Sequence, residues 1–283
     1  MYCVELSVNY EDALMGIIKD NGVCYSAELK DRYYQETGKW IPSDVYSNWL
    51  RNKLVNGHIK VERVDVGYRY PATFIKLSTI DDRLVDRIIE HKTKLLRQQR
   101  TLTNITGKFG EELIASALSK CGCSEIETTK KKHSNIGNDR QGIDVFTKHP
   151  DGHYLGIEVK NRKPSYWLNC EQIKDDLGTI TEASIAWGLD IKPAIICTFI
   201  YPKAMKKYKD EFPILATGKQ YVPEENVEFY RDYRDALGAN YVTTIADVNN
   251  PPEELVKNIQ HYIVSWEKNK TILWVENEGV HQT

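Results

Sequence analysis

Asp144 and the triplet Glu158-Val159-Lys160 are the residues whose types and spacing point most directly to chemistry. Gly142-Ile143-Asp144-Val145-Phe146 and Leu155-Gly156-Ile157-Glu158-Val159-Lys160 read as two strands. A turn through His149-Pro150-Asp151-Gly152-His153 joins them. Extended backbone sends alternate residues to opposite faces. Ile143 and Val145 therefore oppose Asp144, and Ile157 and Val159 oppose Glu158 and Lys160. An odd loop centred on Asp151 sets Asp144 across from Glu158, with Cβ atoms about 5 Å apart. A two-residue Asp151-Gly152 turn puts the two acids on opposite faces instead. Two carboxylates that close repel unless a cation lies between them, and such oxygen ligands suit Mg²⁺ or Mn²⁺. Lys160, on the same face, can hold or help deprotonate an attacking water and offset charge on a phosphate. The alternative is an exposed hairpin face with ordinary Glu-Lys surface pairing.

These strands need elements on either side. Gly107-Lys108-Phe109-Gly110-Glu111-Glu112-Leu113-Ile114 opens a helix whose Leu113, Ile114, Ala117 and Leu118 face a core. Asn169-Cys170-Glu171-Gln172 opens another, which runs to about Trp187. There Gln172 either contacts the site or closes a capping box with Asn169. Pro193–Tyr201 reads as a buried strand, Tyr241–Ala246 as a further strand, Glu253–Trp266 as an amphipathic helix and Thr271–Val275 as a last short strand. Lys130-Lys131-Lys132-His133 and Asn161-Arg162-Lys163 are basic clusters that either contact phosphate or are simply solvated. His133, His149 and His153 are candidate general bases, but they lie in loops without ligand spacing.

The first 80 residues follow a different pattern. Ala13, Leu14, Ile17 and Ile18 recur at helical spacing up to Asn21-Gly22. Ser26 is the expected N-cap of a second helix carrying Leu29 and Tyr33 and ending at Gly38. Pro42-Ser43 opens a third helix, with Tyr46, Leu50 and Leu54 as its buried stripe and Asn56-Gly57 as its stop. Ile59 and Val61, then Ile75 and Leu77, alternate as a hairpin. Three helices and a two-stranded wing resemble a winged helix-turn-helix domain. That resemblance implies double-stranded DNA as partner, with the third helix presenting Ser47, Asn48, Arg51 and Asn52 to it. A solvated face on a protein-interaction module is the alternative, since the region holds 10 Lys/Arg against 10 Asp/Glu. Residues 81–103 read as an amphipathic linker helix with Val85, Ile88, Ile89, Leu95 and Leu96 on its apolar stripe. Its His91–Gly110 stretch carries five basic residues and no acid. It suits a DNA-spanning linker or an ordinary solvated face.

Asp144 with Glu158-Val159-Lys160 resembles the PD-(D/E)XK nuclease superfamily, and Glu111 matches an acid found on its first core helix. The nearest resemblance is to the branch of archaeal Holliday-junction resolvases and Mrr-like restriction nucleases, where a glutamine opens the helix after the Glu-x-Lys strand, as Gln172 does. It covers roughly residues 104–201. It implies Asp144, Glu158 and the Val159 carbonyl as metal ligands and Lys160 as the catalytic lysine. Glu111 becomes an extra ligand or water-organising group, with Glu112 in its place if the helix is rotated. The implied fold is α/β, a restriction-endonuclease-like mixed sheet flanked by helices over residues 104–283. The implied function is Mg²⁺-dependent endonucleolytic cleavage of DNA, with Mn²⁺ able to substitute, in a homodimer. A restriction-type enzyme leads. A structure-selective nuclease and a non-catalytic winged-helix regulator are the alternatives. Glu158 stands where many Mrr-like enzymes have glutamine, which leaves modification dependence unsupported.

Composition limits the field. The chain has 283 residues, 41% hydrophobic and 28% charged, and a net charge of −2. That balance is globular, suggests two domains and advertises no global attraction to nucleic acid. The longest apolar run, around Ala194–Tyr201, falls far short of the ~20 residues that span a bilayer. Met1–Met15 lacks the pattern of a signal peptide. Six scattered cysteines favour a reducing cytoplasm over a disulfide framework.

Overall fold

The structure, a computed structural model, describes residues 9–39, 41–67, 70–128, 142–162, 167–237 and 243–266. In chain order the first elements are α1 (Tyr10–Asn21), β1 (Val23–Tyr25), α2 (Ser26–Thr37), α3 (Ser43–Val55), β2 (Ile59–Val64), β3 (Ala72–Leu77) and α4 (Asp82–Lys120). Then come β4 (Ser124–Thr128), β5 (Val145–Lys148), β6 (Tyr154–Lys160), β7 (Trp167–Leu168), α5 (Cys170–Trp187), β8 (Ile191–Cys197) and β9 (Phe199–Ile200). The chain continues through α6 (Pro202–Tyr208), β10 (Ile214–Ala216), β11 (Gln220–Val222), α7 (Val227–Leu237), β12 (Thr243–Ile245) and α8 (Glu253–Ile259), the last extended by a π-helical turn. Two compact units result: Met1–Leu102 with Phe229–Asn240, and Thr103–Glu228 with Tyr241–Thr283. No helix among the described residues is long and apolar enough to cross a membrane.

In the first unit, α1, α2 and α3 pack on an antiparallel sheet of order β1-β3-β2. Gly22 and Gly38 end α1 and α2 at φ 71° and 67°, backbone that glycine adopts without a Cβ penalty. Tyr25, not Ser26, is the N-cap of α2, because the Glu28 carboxylate accepts from the Tyr25 amide at 2.9 Å. The buried stripe of α3 is Tyr46 and Trp49, while Leu54 is 46% exposed. The reason is angular: at 3.6 residues per turn, position 53 returns under 46 and position 54 overshoots. Lys53 occupies that inward position and reaches Glu11 of α1 at 2.8 Å. Lys92 of α4 is 5% exposed, donating to Val23 O at 2.7 Å and to both Glu28 oxygens at 2.8 Å. Arg97 donates to Asp65 O. Two of the five basic side chains read as a linker's outer face are thus held within this unit.

α4 runs unbroken for 39 residues, where the sequence suggests a linker helix and a new helix at Gly107. Neither Gly107 nor Gly110 stops it, since a helical glycine costs only about 1 kcal/mol and no proline intervenes.

The second unit is built on a mixed sheet of order β10-β8-β6-β5-β4. β4, β5 and β6 are antiparallel neighbours, and β6, β8 and β10 are parallel. Leu113, Ile114, Ala117 and Leu118 of α4 cover one face over Val145, Ile157, Ala194 and Ile196. On the other, Ile173 of α5 packs with Ile195 and Cys197, and Ile180 and Ala183 pack with Ile143 and Ile191. This is a mixed sheet flanked by helices. Ile143 lies on the α5 side and Val145 on the α4 side. They do not share a face as alternation suggests, because β5 begins only at Val145. The Pro193–Tyr201 strand is split at Thr198, which turns aside to donate to Lys160 O and accept from the Arg162 amide.

Candidate functional site

The β5–β6 hairpin sets the register. Lys148 pairs with Tyr154 and Val145 with Ile157, leaving the five residues 149–153 as the loop, centred on Asp151. The His149 amide donates to His153 O and the Gly152 amide to His149 O, both at 2.8 Å, with Gly152 at φ 91°. An odd loop preserves the face. Asp144 immediately precedes β5, and its Oδ2 accepts from the Val159 amide at 2.8 Å. β6 thus uses a backbone N–H to hold the acid that precedes β5.

Lys160 is the hub. Its ammonium donates to Glu158 Oε2 at 2.6 Å and lies 3.4 Å from Asp144 Oδ2 and 3.2 Å from Asp176 Oδ1. Asp176 is the residue that sequence reading missed. It lies one turn beyond Gln172 on α5, between the buried Ile173 and Ile180, and an acid at that interior spacing was the available signal. Glu158 is only 4% exposed, so the acid face is no open surface: α5 covers it. Glu158 Oε1 and Asp176 Oδ2 are buried without a hydrogen-bond partner among the described residues.

Among the described residues, three carboxylates surround the Lys160 ammonium in a largely water-excluded pocket, with the exposed Arg162 near enough to pull on Asp176. Burial pushes the Glu158 carboxyl up to about 8, the nearby Asp144 charge pushes the same way, and Lys160 opposes both. Burial also raises Asp176 against the pull of Lys160. Burial alone would lower Lys160, but Asp144, Glu158 and Asp176 outweigh it and hold the lysine protonated well above neutrality. The cluster therefore retains a proton on its most buried acid or takes up a cation.

Glu111 is half-buried on α4, next to Gly110. At Gly110 an added Cβ would meet Asn161 Cβ at 2.5 Å. Asn161, next after Lys160, donates to Thr106 O and Tyr221 O and accepts from the Tyr221 amide. Gly110→Ala is expected to push α4 away from the end of β6 and lower the melting temperature by several degrees. Thermal unfolding checks this, and an unchanged midpoint would remove the packing argument. Glu112 pairs with Lys108 at 3.3 Å on the surface.

Gln172 closes the capping box: its Oε1 accepts from the Asn169 amide at 3.0 Å while Asn169 Oδ1 accepts from the Gln172 amide. Arg162 is exposed beside the site. Lys130, Lys131, Lys132, His133 and Lys163, and the Thr271–Val275 strand, lie outside the described residues. His149, Asp151 and His153 cluster in the hairpin loop, at the other end of the strands from Lys160. Both His149 nitrogens have partners there: Nε2 meets Val264 O at 2.8 Å and Nδ1 accepts from the Asp151 amide at 3.0 Å. It clasps the turn. In the first unit, Ser47, Asn48, Arg51 and Asn52 are all exposed on α3, and the Ser47 hydroxyl donates to Ser43 O at 2.7 Å.

No protein-family model matches this chain, and no curated protein sequence matches it. A matching solved structure is that of a repair endonuclease from Pyrococcus abyssi. It is 10% identical over 54% of this chain and 59% of that one, with a TM-score of 0.22. So loose a superposition carries no argument. The functional reading rests on the geometry around Lys160.

Proposed function

We propose that this chain is a metal-dependent DNA endonuclease that hydrolyses phosphodiester bonds. The observation that carries the reading is the cluster of Asp144, Glu158 and Asp176 around Lys160, in which Glu158 Oε1 and Asp176 Oδ2 are buried without a hydrogen-bond partner among the described residues. Buried acceptors of this kind fit a hard divalent cation. Asp144 and Glu158, with the Val159 carbonyl, are the proposed ligands of Mg²⁺ or Mn²⁺, and Asp176 joins them or braces Lys160. Such an ion would supply positive charge against a phosphate and acidify a water. Lys160, protonated, contributes charge and hydrogen-bond donors toward a phosphate oxygen or the attacking water. Lys160 ends β6 beside the end of the neighbouring β8, and a strand of DNA would approach from that end of the sheet. Glu111, on the helix that Asn161 ties to the end of β6, is the proposed water-organising group.

Cleavage of supercoiled plasmid with and without Mg²⁺, using wild type and Asp176→Asn, tests the reading. Mg²⁺-dependent nicking by wild type, slowed about 10- to 100-fold in Asp176→Asn, is the expected outcome. DNA binding without cleavage under any divalent ion would overturn it in favour of a regulator.

The first unit, three helices and a wing-like hairpin, serves in this proposal as a winged helix that directs restriction-type cleavage of duplex DNA by a homodimer. Discrete bands from linear duplex support that reading, and cutting of junctions alone replaces it with a structure-selective nuclease. Arg51→Ala and Asn48→Ala are expected to weaken binding or relax site choice without altering the rate at saturating DNA. A lost bidentate base contact costs about 1–3 kcal/mol, and a lost phosphate contact lowers the salt slope by about one. Unchanged binding isotherms in both variants would make the unit a protein-interaction module.

A further inference from the structure

Beyond Lys160 the chain builds an aromatic group that the cleavage chemistry does not use. β7 and β9 pair in parallel, with Trp167 beside Phe199. Their rings stack at 5.4 Å between centroids and 17° between planes, and Tyr201 packs on Trp167 at 5.6 Å and 42°. Trp167 and Phe199 are half-buried, while Tyr201 is 41% exposed. Three such rings packed together need an account.

Their position supplies one. Cys197 is the register partner of Lys160, and the Thr198 amide donates to Lys160 O at 3.1 Å. Phe199 follows directly. The stack therefore begins two residues along the chain from the partner of Lys160, just past the bend at Thr198. Arg162 and Lys203, both exposed, flank it in sequence and supply charge for a backbone.

We propose that Trp167 and Tyr201 form a stacking platform for an unpaired nucleotide of the DNA strand next to the cut phosphate. The inference rests on the nuclease reading and narrows its substrate: the strand carries an unpaired base there, from a single-stranded stretch or extruded from a duplex. An aromatic face beside cationic side chains holds such bases without reading their identity.

The test is binding measured without divalent metal, so that it reports nothing about cleavage. Fluorescence polarisation follows three fluorescein-labelled probes: a single-stranded thymidine oligonucleotide, a duplex with one bulged thymine, and the same duplex fully paired. Tyr201→Ala is expected to weaken the first two by about 5- to 100-fold and the paired duplex by less than twofold. Tyr201→Phe, which keeps the ring, should restore binding. Loss on the oligonucleotide alone identifies single strands as the source, and loss on the bulged duplex as well admits extruded bases. Tryptophan emission should fall on binding in wild type and lose most of that change in Trp167→Phe. Equal weakening on all three probes, no weakening on any, or failure of Tyr201→Phe to restore binding would overturn the platform. Absence of metal-dependent cleavage alongside the expected binding pattern would sink the nuclease reading and leave the platform standing.

Discussion

Lys160→Met is expected to slow Mg²⁺-dependent DNA cleavage about 100- to 1000-fold, the loss that follows removal of one positioned donor at a developing charge. Methionine keeps the length of the stem and removes the ammonium that meets Asp144, Glu158 and Asp176. The structure also changes the expected effect on stability. On an open hairpin face the truncation would be harmless. In this cluster it leaves three carboxylates without their cation, and breaking a buried pair typically costs about 3–5 kcal/mol. The variant should therefore melt lower than wild type at pH 8, and by less at pH 5, where the acids can take up protons. Cleavage rates under single-turnover conditions and melting curves at the two pH values check both halves. Near-normal cleavage by the folded variant would remove Lys160 from the chemistry.

Glu158→Gln should separate the proton from the metal. In the folded chain this carboxyl titrates near 8, above its ordinary value of 4.5, because burial and Asp144 disfavour the anion. Its contribution to stability is complete below about 4.5, where folded and unfolded chains are both protonated. As pH rises, the unfolded chain releases the proton first, so the contribution is progressively lost through pH 8. Glutamine resembles the protonated acid and does not titrate. In chelator, Glu158→Gln is expected to match wild type near pH 5 and to melt several degrees higher at pH 8. Adding Mg²⁺ at pH 8 should raise the wild-type midpoint, since a ligand of the folded state stabilises it, and should leave the variant nearly unmoved. Cleavage should fall with it. Equal stabilisation of both proteins by Mg²⁺ would place the ion elsewhere.

Local rules explain why much of this site was legible. Ile157-Glu158-Val159-Lys160 alternates strictly, and the β6 pairing keeps that alternation, with Ile157 buried over α4 and Glu158 turned toward α5. Asn169 and Gln172 cap the start of α5 from positions adjacent to it in sequence. Leu54 reads as core on the spacing of apolar residues alone, yet the 3.6-residue turn brings Lys53 under Tyr46 instead, where it meets Glu11. Elsewhere tertiary pairing overrode the local reading. Lys92 reads as a surface cation of a linker, yet it is enclosed with Glu28, a partner 64 positions away.

The sequence by itself determined the two strands of the hairpin, the placing of Glu158 and Lys160 on one face of the second, and the capped helix that follows. These follow from periodicity and turn chemistry, which act over a few residues. Tertiary structure decided that the acid face is covered and that Asp176 completes the ring of charge about Lys160. It also decided that Gly110 must lack a side chain where α4 meets Asn161. Each of those depends on segments far apart in the chain being packed against one another. A carboxylate becomes a buried, proton-retaining group only when a helix from elsewhere excludes the water around it.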